Sequence, residues 1–507
     1  MSDTVGQPSP ADDGRSSTGG DGRPAAAGSG QPSAAADERT SAADDKRTST
    51  PGDGPPSAAG RDQSPAAGGQ QTSAGGDPAR TLLSRGYLRL LVLSLGLGVP
   101  IALASFFFVG LQHWLQHQVW QELPHALGLG RAPWWWPLPA LTLAGLLLAP
   151  IVTRLPGAGG HVPAHGLGGA PIGPRALPGV VLAAVLTLPL GVTLGPEAPL
   201  MAVGSALALL GVRVLRRHPA DAASATVVAT AGSTAAISTI LGGPVVAAIM
   251  VVEAAGLAGP RLAVLLLPCL AASGAGALVF TGFGHWTGLS IGALALPKVP
   301  PDTVPDAGDF LWGLPVAALI AVLVSVAHGL GERTHRWTSA QATAVRTVVC
   351  AVAAGVCLTA YALLTGRSPE EAALSGQTTL GQLAENPRGW PVLALVALVV
   401  CKALAWGISL GSLRGGPIFP AVLIGVATGL TFAGLPGLGT APAFALGISA
   451  ATTVVTGQPL TSCVLAVLLL GRDAYNQMPL IVLAAVTALL VSRLRTSRRP
   501  EPAPPGT

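Results

Sequence analysis

Apolar stretches recur between Tyr87 and Leu494 with few interruptions, and many of them are short or broken by Gly or Pro. The first series lies at about 87–112, 135–153, 176–194, 198–215, 224–240, 243–258 and 261–281. The second lies at about 309–328, 342–365, 391–410, 417–434, 441–456, 458–471 and 479–495. Half of the residues are hydrophobic and 10% are charged, against about 25% charged in an average soluble domain. A chain of this kind is read as embedded in a bilayer. A straight crossing needs about 20 apolar residues, and several stretches fall short of that. In hydrocarbon, backbone groups must be bonded inside the protein, so short, broken helices have to line a polar cavity or bury their ends in protein. The expected fold class is all-α integral membrane.

Residues 1–82 differ sharply from the rest. They are rich in Gly, Ala, Ser, Pro, Asp and Thr, contain near-repeats such as GQPSPADDG and GQPSAAADE, and have almost no large apolar side chains. Such a composition cannot offset its ordering entropy, so this segment is read as a disordered, cytoplasmic tail. A single transmembrane domain is expected over 83–496, in halves of about 87–281 and 309–496, followed by a short cytoplasmic tail at 497–507. That remainder is expected to leave no room for a CBS-type regulatory domain. No secretory signal is visible, and the first apolar segment is expected to direct insertion.

The net charge of +5 divides into −4 over residues 1–80 and +9 over the rest. Basic residues beside membrane segments point to cytoplasmic loops and anionic headgroups rather than nucleic acid. Clusters at Arg213, Arg216 and Arg217, at Arg333 and Arg336, and at Arg493, Arg495, Arg498 and Arg499 are therefore assigned to the cytoplasm, as are both termini. The acidic loop 298–309 and the His-rich loop 113–134 are assigned outside. The five cysteines lie in apolar runs without ligand spacing, so neither a disulfide framework nor a metal site is expected.

Two Gly- and Pro-rich breaks occupy matching places: Leu194-Gly195-Pro196-Glu197-Ala198-Pro199 and Gly415-Gly416-Pro417-Ile418-Phe419-Pro420. Gly195 falls 108 residues after Tyr87, and Gly416 falls 107 after Asp309. Paired interruptions of this kind are the signature of inverted-repeat transporters. Glu197 and Glu253 are the two carboxylates placed deep in apolar segments. An ionisable group in a bilayer is costly and usually functional. Glu197 also begins a helix, where free N–H groups and the helix dipole favour an anion. A carboxylate there can compete with a permeating anion and be displaced or neutralised by a proton, whereas the plainer reading makes Glu197 a helix cap.

These residues carry a resemblance. Gly195 to Pro199 resembles the GxEGP-type motif of the CLC family, with Ala198 in place of the second glycine. Gly415 to Pro420 resembles that family's GxFxP element, and Gly157-Ala158-Gly159-Gly160-His161-Val162-Pro163 has roughly the shape of its GSGIP element. Gly243-Pro244 followed by Glu253 is similar to its AP-type pair before a glutamate. The four occur in the family's order across about 410 residues. They look nearest a divergent bacterial branch of ion-transport proteins carrying GPExP and RGGxIFP elements.

The resemblance implies a homodimer in the bacterial cell membrane with one anion pathway per subunit, built as two inverted halves. It makes Glu197 the gating glutamate and assigns the anion pathway to Gly157, Ala158, Gly159, Gly195, Pro196, Gly416, Ile418 and Phe419, lined by helix starts at Glu197, Gly416 and Ala158. The substrate expected is chloride or a similar small anion, with lipid as the surroundings and no cofactor. Departures concern proton coupling: Ala158 stands at the anion-coordinating serine, Ala254 at the proton-transfer glutamate, and no late tyrosine follows the last helix. Glu253 is either a proton relay or a structural acid tied to backbone amides and a nearby arginine. A chloride/proton or fluoride/proton exchanger is the alternative, and an unrelated inverted-repeat transporter a more distant one.

Other polar residues have plainer readings. His161 and His165 lack partners for a metal and are placed in a loop at the cytoplasmic mouth. Lys402 is an anion attractor, or else a snorkelling or carboxylate-paired lysine. Trp134, Trp135 and Trp136 form an interfacial anchor. Ser233 has no partner for hydrolytic chemistry, and the chain is not read as an enzyme.

Overall fold

The computed structural model describes residues 82–167, 171–215, 222–256, 259–287, 296 and 304–497. The predicted tail (except for Leu82), Arg216, Arg217, most of the acidic loop and the residues after Ser497 lie outside these. The first half comprises α1 (Arg85–His117), α2 (Pro137–Arg154), α3 (Leu177–Thr187), α4 (Glu197–Leu215), α5 (Ala222–Ser238), α6 (Pro244–Ala255) and α7 (Pro260–Thr287). A π turn, Gln118–Glu122, and one α turn, Leu123–Ala126, prolong α1. The second half comprises α8 (Ala307–Ala340), α9 (Thr343–Thr365), α10 (Gln377–Glu385), α11 (Val392–Ser412), α12 (Ile418–Phe432), α13 (Thr440–Thr456), α14 (Pro459–Leu470) and α15 (Ala474–Ser497). Each predicted apolar stretch coincides with one helix.

Among the described residues, eight helical stretches are long and apolar enough to cross a membrane. α3, α6, α12 and α13 are apolar but shorter. The 12 residues of α6 rise about 18 Å at 1.5 Å each, against a hydrocarbon core of about 30 Å. Local sequence sets the ends. Proline occupies the first turn of α2, α6 and α14, where its missing N–H costs nothing. Asp306 and Asp309 close a capping box at the start of α8.

The two halves repeat one packing scheme. α4 packs on α5 as α12 packs on α13, and the pairs α5–α7, α1–α7, α1–α5 and α6–α7 recur as α13–α15, α8–α15, α8–α13 and α14–α15. The repetition extends to single residues. A Cβ on Gly204 would overlap the carbonyl of Gly232, and one on Gly425 would overlap that of Gly447. Gly204 and Gly425 each lie nine residues after Gly195 and Gly416 respectively. Small residues let helices approach closely where lipid supplies no hydrophobic drive. The halves join through α2 against α9 and α6 against α14.

Candidate functional site

The breaks at Gly195 and Gly416 meet. Each glycine donates its N–H to the other's carbonyl, at 2.8 Å from Gly195 and 2.5 Å from Gly416, in an isolated antiparallel bridge. That is the relation a two-fold axis between the halves produces. The bridge holds the starts of α4 and α12 against one another. Pro196 precedes α4, and its carbonyl accepts from Leu200 N–H. The Glu197 side chain turns from the first residue of α4 onto the start of α12, where its Oε1 accepts the Phe419 N–H at 2.9 Å. The amides of Ile418 and of Glu197 itself also address the carboxylate.

Glu197 is 0% exposed, and its Oε2 has no hydrogen-bond partner among the described residues. A Cβ on Gly195 or on Gly416 would overlap that oxygen. Both glycines are thus needed for close approach rather than for an unusual φ at Gly195. The arrangement is a carboxylate held by the free amides of an opposing helix start. Glu197, Gly195, Pro196, Gly416, Ile418 and Phe419 come together at the two breaks. The proline at 417 removes one donor, and the next amides supply the contact.

The third predicted element differs from expectation. No helix starts at Ala158. Gly157, Ala158, Gly159 and Gly160 all have positive φ (78°, 46°, 74° and 108°), a left-handed turn that a right-handed helix cannot continue. The Ala158 N–H bonds the Leu155 carbonyl at 3.1 Å. Its carbonyl instead accepts Arg414 Nε at 2.9 Å, so this turn is attached to the approach to Gly416. Arg414 was legible only as a letter of the RGG element, and sequence reasoning gave it no role.

Glu253 lies on α6 and caps α14. Its carboxylate accepts the amides of Leu460 and Thr461 at 3.0 and 2.8 Å and the Thr461 hydroxyl at 2.8 Å. The arginine expected beside it is not within ion-pairing distance among the described residues. Glu253 also lines a cavity of about 1070 Å³ together with His161, His165, Glu332 and Arg493. The histidine loop, Glu332 beside the Arg333 cluster, and Arg493 thus line one cavity.

Lys402 neither snorkels nor pairs with a carboxylate. It is 0% exposed, and its Nζ donates to the carbonyls of Ala372, Ala373 and Leu374 at 2.9, 3.1 and 3.1 Å. The ammonium has three donors, and three main-chain dipoles use them. That loop is anchored by Glu371, which accepts from Arg367 Nε at 2.7 Å and from the Tyr361 hydroxyl at 2.5 Å. Next to it, burial raises the pKa of Glu370 above the usual carboxylate range, with Gln121 and His117 acting against the shift. Ser233 donates to the Met201 carbonyl at 2.9 Å, which leaves its hydroxyl proton committed.

Comparison with known proteins bears on the fold as a whole. The sequence model of a family described as voltage gated chloride channel matches residues 161–493. The provisionally named ion-transport protein YfeO is 29% identical over 435 residues, in forms from Escherichia coli and Shigella boydii. Each alignment covers 83% of this chain and 98% of the relative. Among solved structures, a slow cyanobacterial Cl⁻/H⁺ antiporter superposes with a TM-score of 0.65 at 16% identity, covering 81% of this chain and 95% of that one. A CLC-type fluoride/proton antiporter gives 0.59 at 19% identity, covering 80% and 96%. These likenesses establish the fold.

Proposed function

The chain belongs to the voltage gated chloride channel family, and on that premise we propose that it carries chloride or a similar small anion across the membrane along a pathway gated by Glu197. One observation carries the reading: a buried carboxylate occupies the amides of Ile418 and Phe419 at the start of α12, where free N–H groups and the helix dipole favour an anion. The side chain is a tethered anion in the place of a mobile one. When it swings away, or a proton neutralises it, the amides become available. Donors of this kind replace a hydration shell without trapping the ion. The pathway is assigned to Gly195, Pro196, Gly416, Ile418 and Phe419, with the turn at Gly157, Ala158 and Gly159 contributing a wall rather than amide donors.

The exchanger reading is favoured by the two antiporters of the same fold and by the cavity at Glu253. The three hydrogen bonds on Glu253 favour a cap over a relay, so proton coupling, if present, rests on Glu197. We further propose a homodimer in the bacterial cell membrane with both ends of the chain in the cytoplasm, in keeping with the basic residues at Arg333, Arg336, Arg493 and Arg495. The transmembrane unit is assigned to residues 83–496.

The test is reconstitution in liposomes, recording anion efflux and proton uptake together for the wild type and for Glu197→Gln. Proton uptake against its gradient, driven by chloride, identifies an exchanger. Efflux without it identifies a channel. A wild-type protein that moves neither chloride, fluoride nor nitrate refutes the proposal.

A further inference from the structure

We propose that Arg414 is a direct ligand of the translocated anion, a fixed positive charge that receives the ion next to the Glu197 gate; the inference rests on the anion-transport reading and deepens it. Arg414 is 6% exposed and lies two residues before Gly416, in the connection between α11 and α12. A guanidinium stays charged in any protein setting. Buried charges are ordinarily paired, yet no carboxylate among the described residues reaches ion-pairing distance of this one. The carboxylate of Glu197 is engaged with Phe419 instead.

The hydrogen bonds leave the charge unanswered. Nε donates to the Ala158 carbonyl at 2.9 Å and Nη1 to the Leu413 carbonyl at 3.1 Å. Two of five N–H donors are thereby used, and both partners are neutral. Nη2 has no acceptor among the described residues, and it is not one of the sealed, unpartnered side-chain atoms, so it opens onto accessible space. The two carbonyls fix the plane of the fork between the 157–160 turn and the approach to α12. A planar cation held on one edge and free on the other is preorganised for a small anion.

An approach to it is also built. His165 lines the large cavity, and its ring meets that of His335 edge-on at 4.8 Å. His335 bonds the Gly411 carbonyl through Nδ1 at 3.3 Å and lies within electrostatic reach of Arg414. His165, His335 and Arg414 thus stand in series between the cavity and the connection that leads into α12.

A purely structural role, in which Arg414 caps α11 and clamps the 157–160 turn, predicts different results. Gln at this position can still donate to the Ala158 carbonyl but carries no charge, and Lys keeps the charge without the fork. Chloride binding to the purified full chain, followed by titration calorimetry, is expected to weaken about ten-fold or more in Arg414→Gln and much less in Arg414→Lys, in line with the loss of a charge-assisted bond. Bromide-soaked crystals of the wild type are expected to give an anomalous peak within hydrogen-bond reach of Nη2, a readout that does not depend on either variant folding. Bromide found only elsewhere, or a folded Gln variant that binds chloride as the wild type does, overturns the inference while leaving transport intact. A wild type that neither binds nor moves any anion overturns both readings.

Discussion

The carboxylate of Glu197 can be evicted without touching it. The three atoms nearest a Cβ built on Gly195 are Oε2, Cδ and Oε1 of Glu197, the far end of a flexible side chain. Gly195 does not have positive φ, so alanine strains no backbone there, and the bridge to Gly416 uses only main-chain atoms. Gly195→Ala should therefore leave the fold in place and drive the carboxylate off the start of α12. What is lost is the bond from Phe419 N–H to Oε1, a hydrogen bond to a charged group worth about 1.5–3 kcal/mol. At 1.4 kcal/mol per decade, the occupied state weakens by roughly ten- to hundred-fold, and anion efflux from liposomes should rise accordingly. The effect belongs to the pair. In a Glu197→Ala background the added methyl meets no carboxylate, so the coupling in a double-mutant cycle should equal nearly the whole single effect. Wild-type efflux in Gly195→Ala, or the same increment in both backgrounds, refutes the argument. Gly416→Ala is a poorer probe, because its Cβ would also lie 2.9 Å from the Glu197 Cβ.

Lys402→Met should lower stability by at least about 3 kcal/mol, because three buried carbonyls lose their donor; thermal melting of the solubilised protein measures this, and an unchanged melting temperature contradicts the assigned role. Glu253→Ala should cost about 1–2 kcal/mol as a lost cap, whereas Glu253→Gln, which keeps an acceptor, should leave any chloride-driven proton uptake unchanged; loss of uptake in the Gln variant would make Glu253 a relay. Burial raises the pKa of Glu370, so the folded state binds a proton more tightly than the unfolded state, and stability falls as pH rises from the ordinary carboxylate range through the raised value. Glu370→Gln should therefore be more stable than the wild type at neutral pH and lose that advantage below about pH 4, near the unperturbed carboxylate value, as followed by melting temperature against pH.

Much of this was open to reading because it is local. Apolar length and Gly or Pro breaks mark every helix but α10, whose sequence is polar, and Gly195 and Gly416 stand at matching distances from the starts of their halves. Glu197 stood out because a carboxylate in an apolar run is rare. What escaped was non-local or conformational. Arg414 and Ala158 are 256 residues apart, and an arginine beside two glycines reads as an ordinary basic loop. Alanine rarely takes a left-handed φ, so the Gly157–Gly160 run suggested a helix start rather than the turn that forms. Lys402 could not be told from a snorkelling lysine without the carbonyls that a distant loop brings to it.

The chemistry of the site lies where the repeat is broken. Two residues after Gly195 comes Glu197, and two residues after Gly416 comes Ile418. The backbone is nearly two-fold there, so each helix start presents amides to the other half, and each would attract an anion. A carboxylate at both positions would set two like charges against one another in a buried space, where they could not both remain ionised. With one carboxylate, the first half supplies the tethered anion and the second supplies the amides, and neither half holds the site alone. Arg414 extends the same asymmetry, since the residue two before Gly195 is Thr193, whose hydroxyl is bonded to Ser409 at 2.9 Å. The second half thus carries the donors and the fixed charge, and the first carries the acid that competes for them. On the proposed reading, a polarity of this kind, laid over a symmetric backbone, gives a transported anion one defined place at which it displaces Glu197.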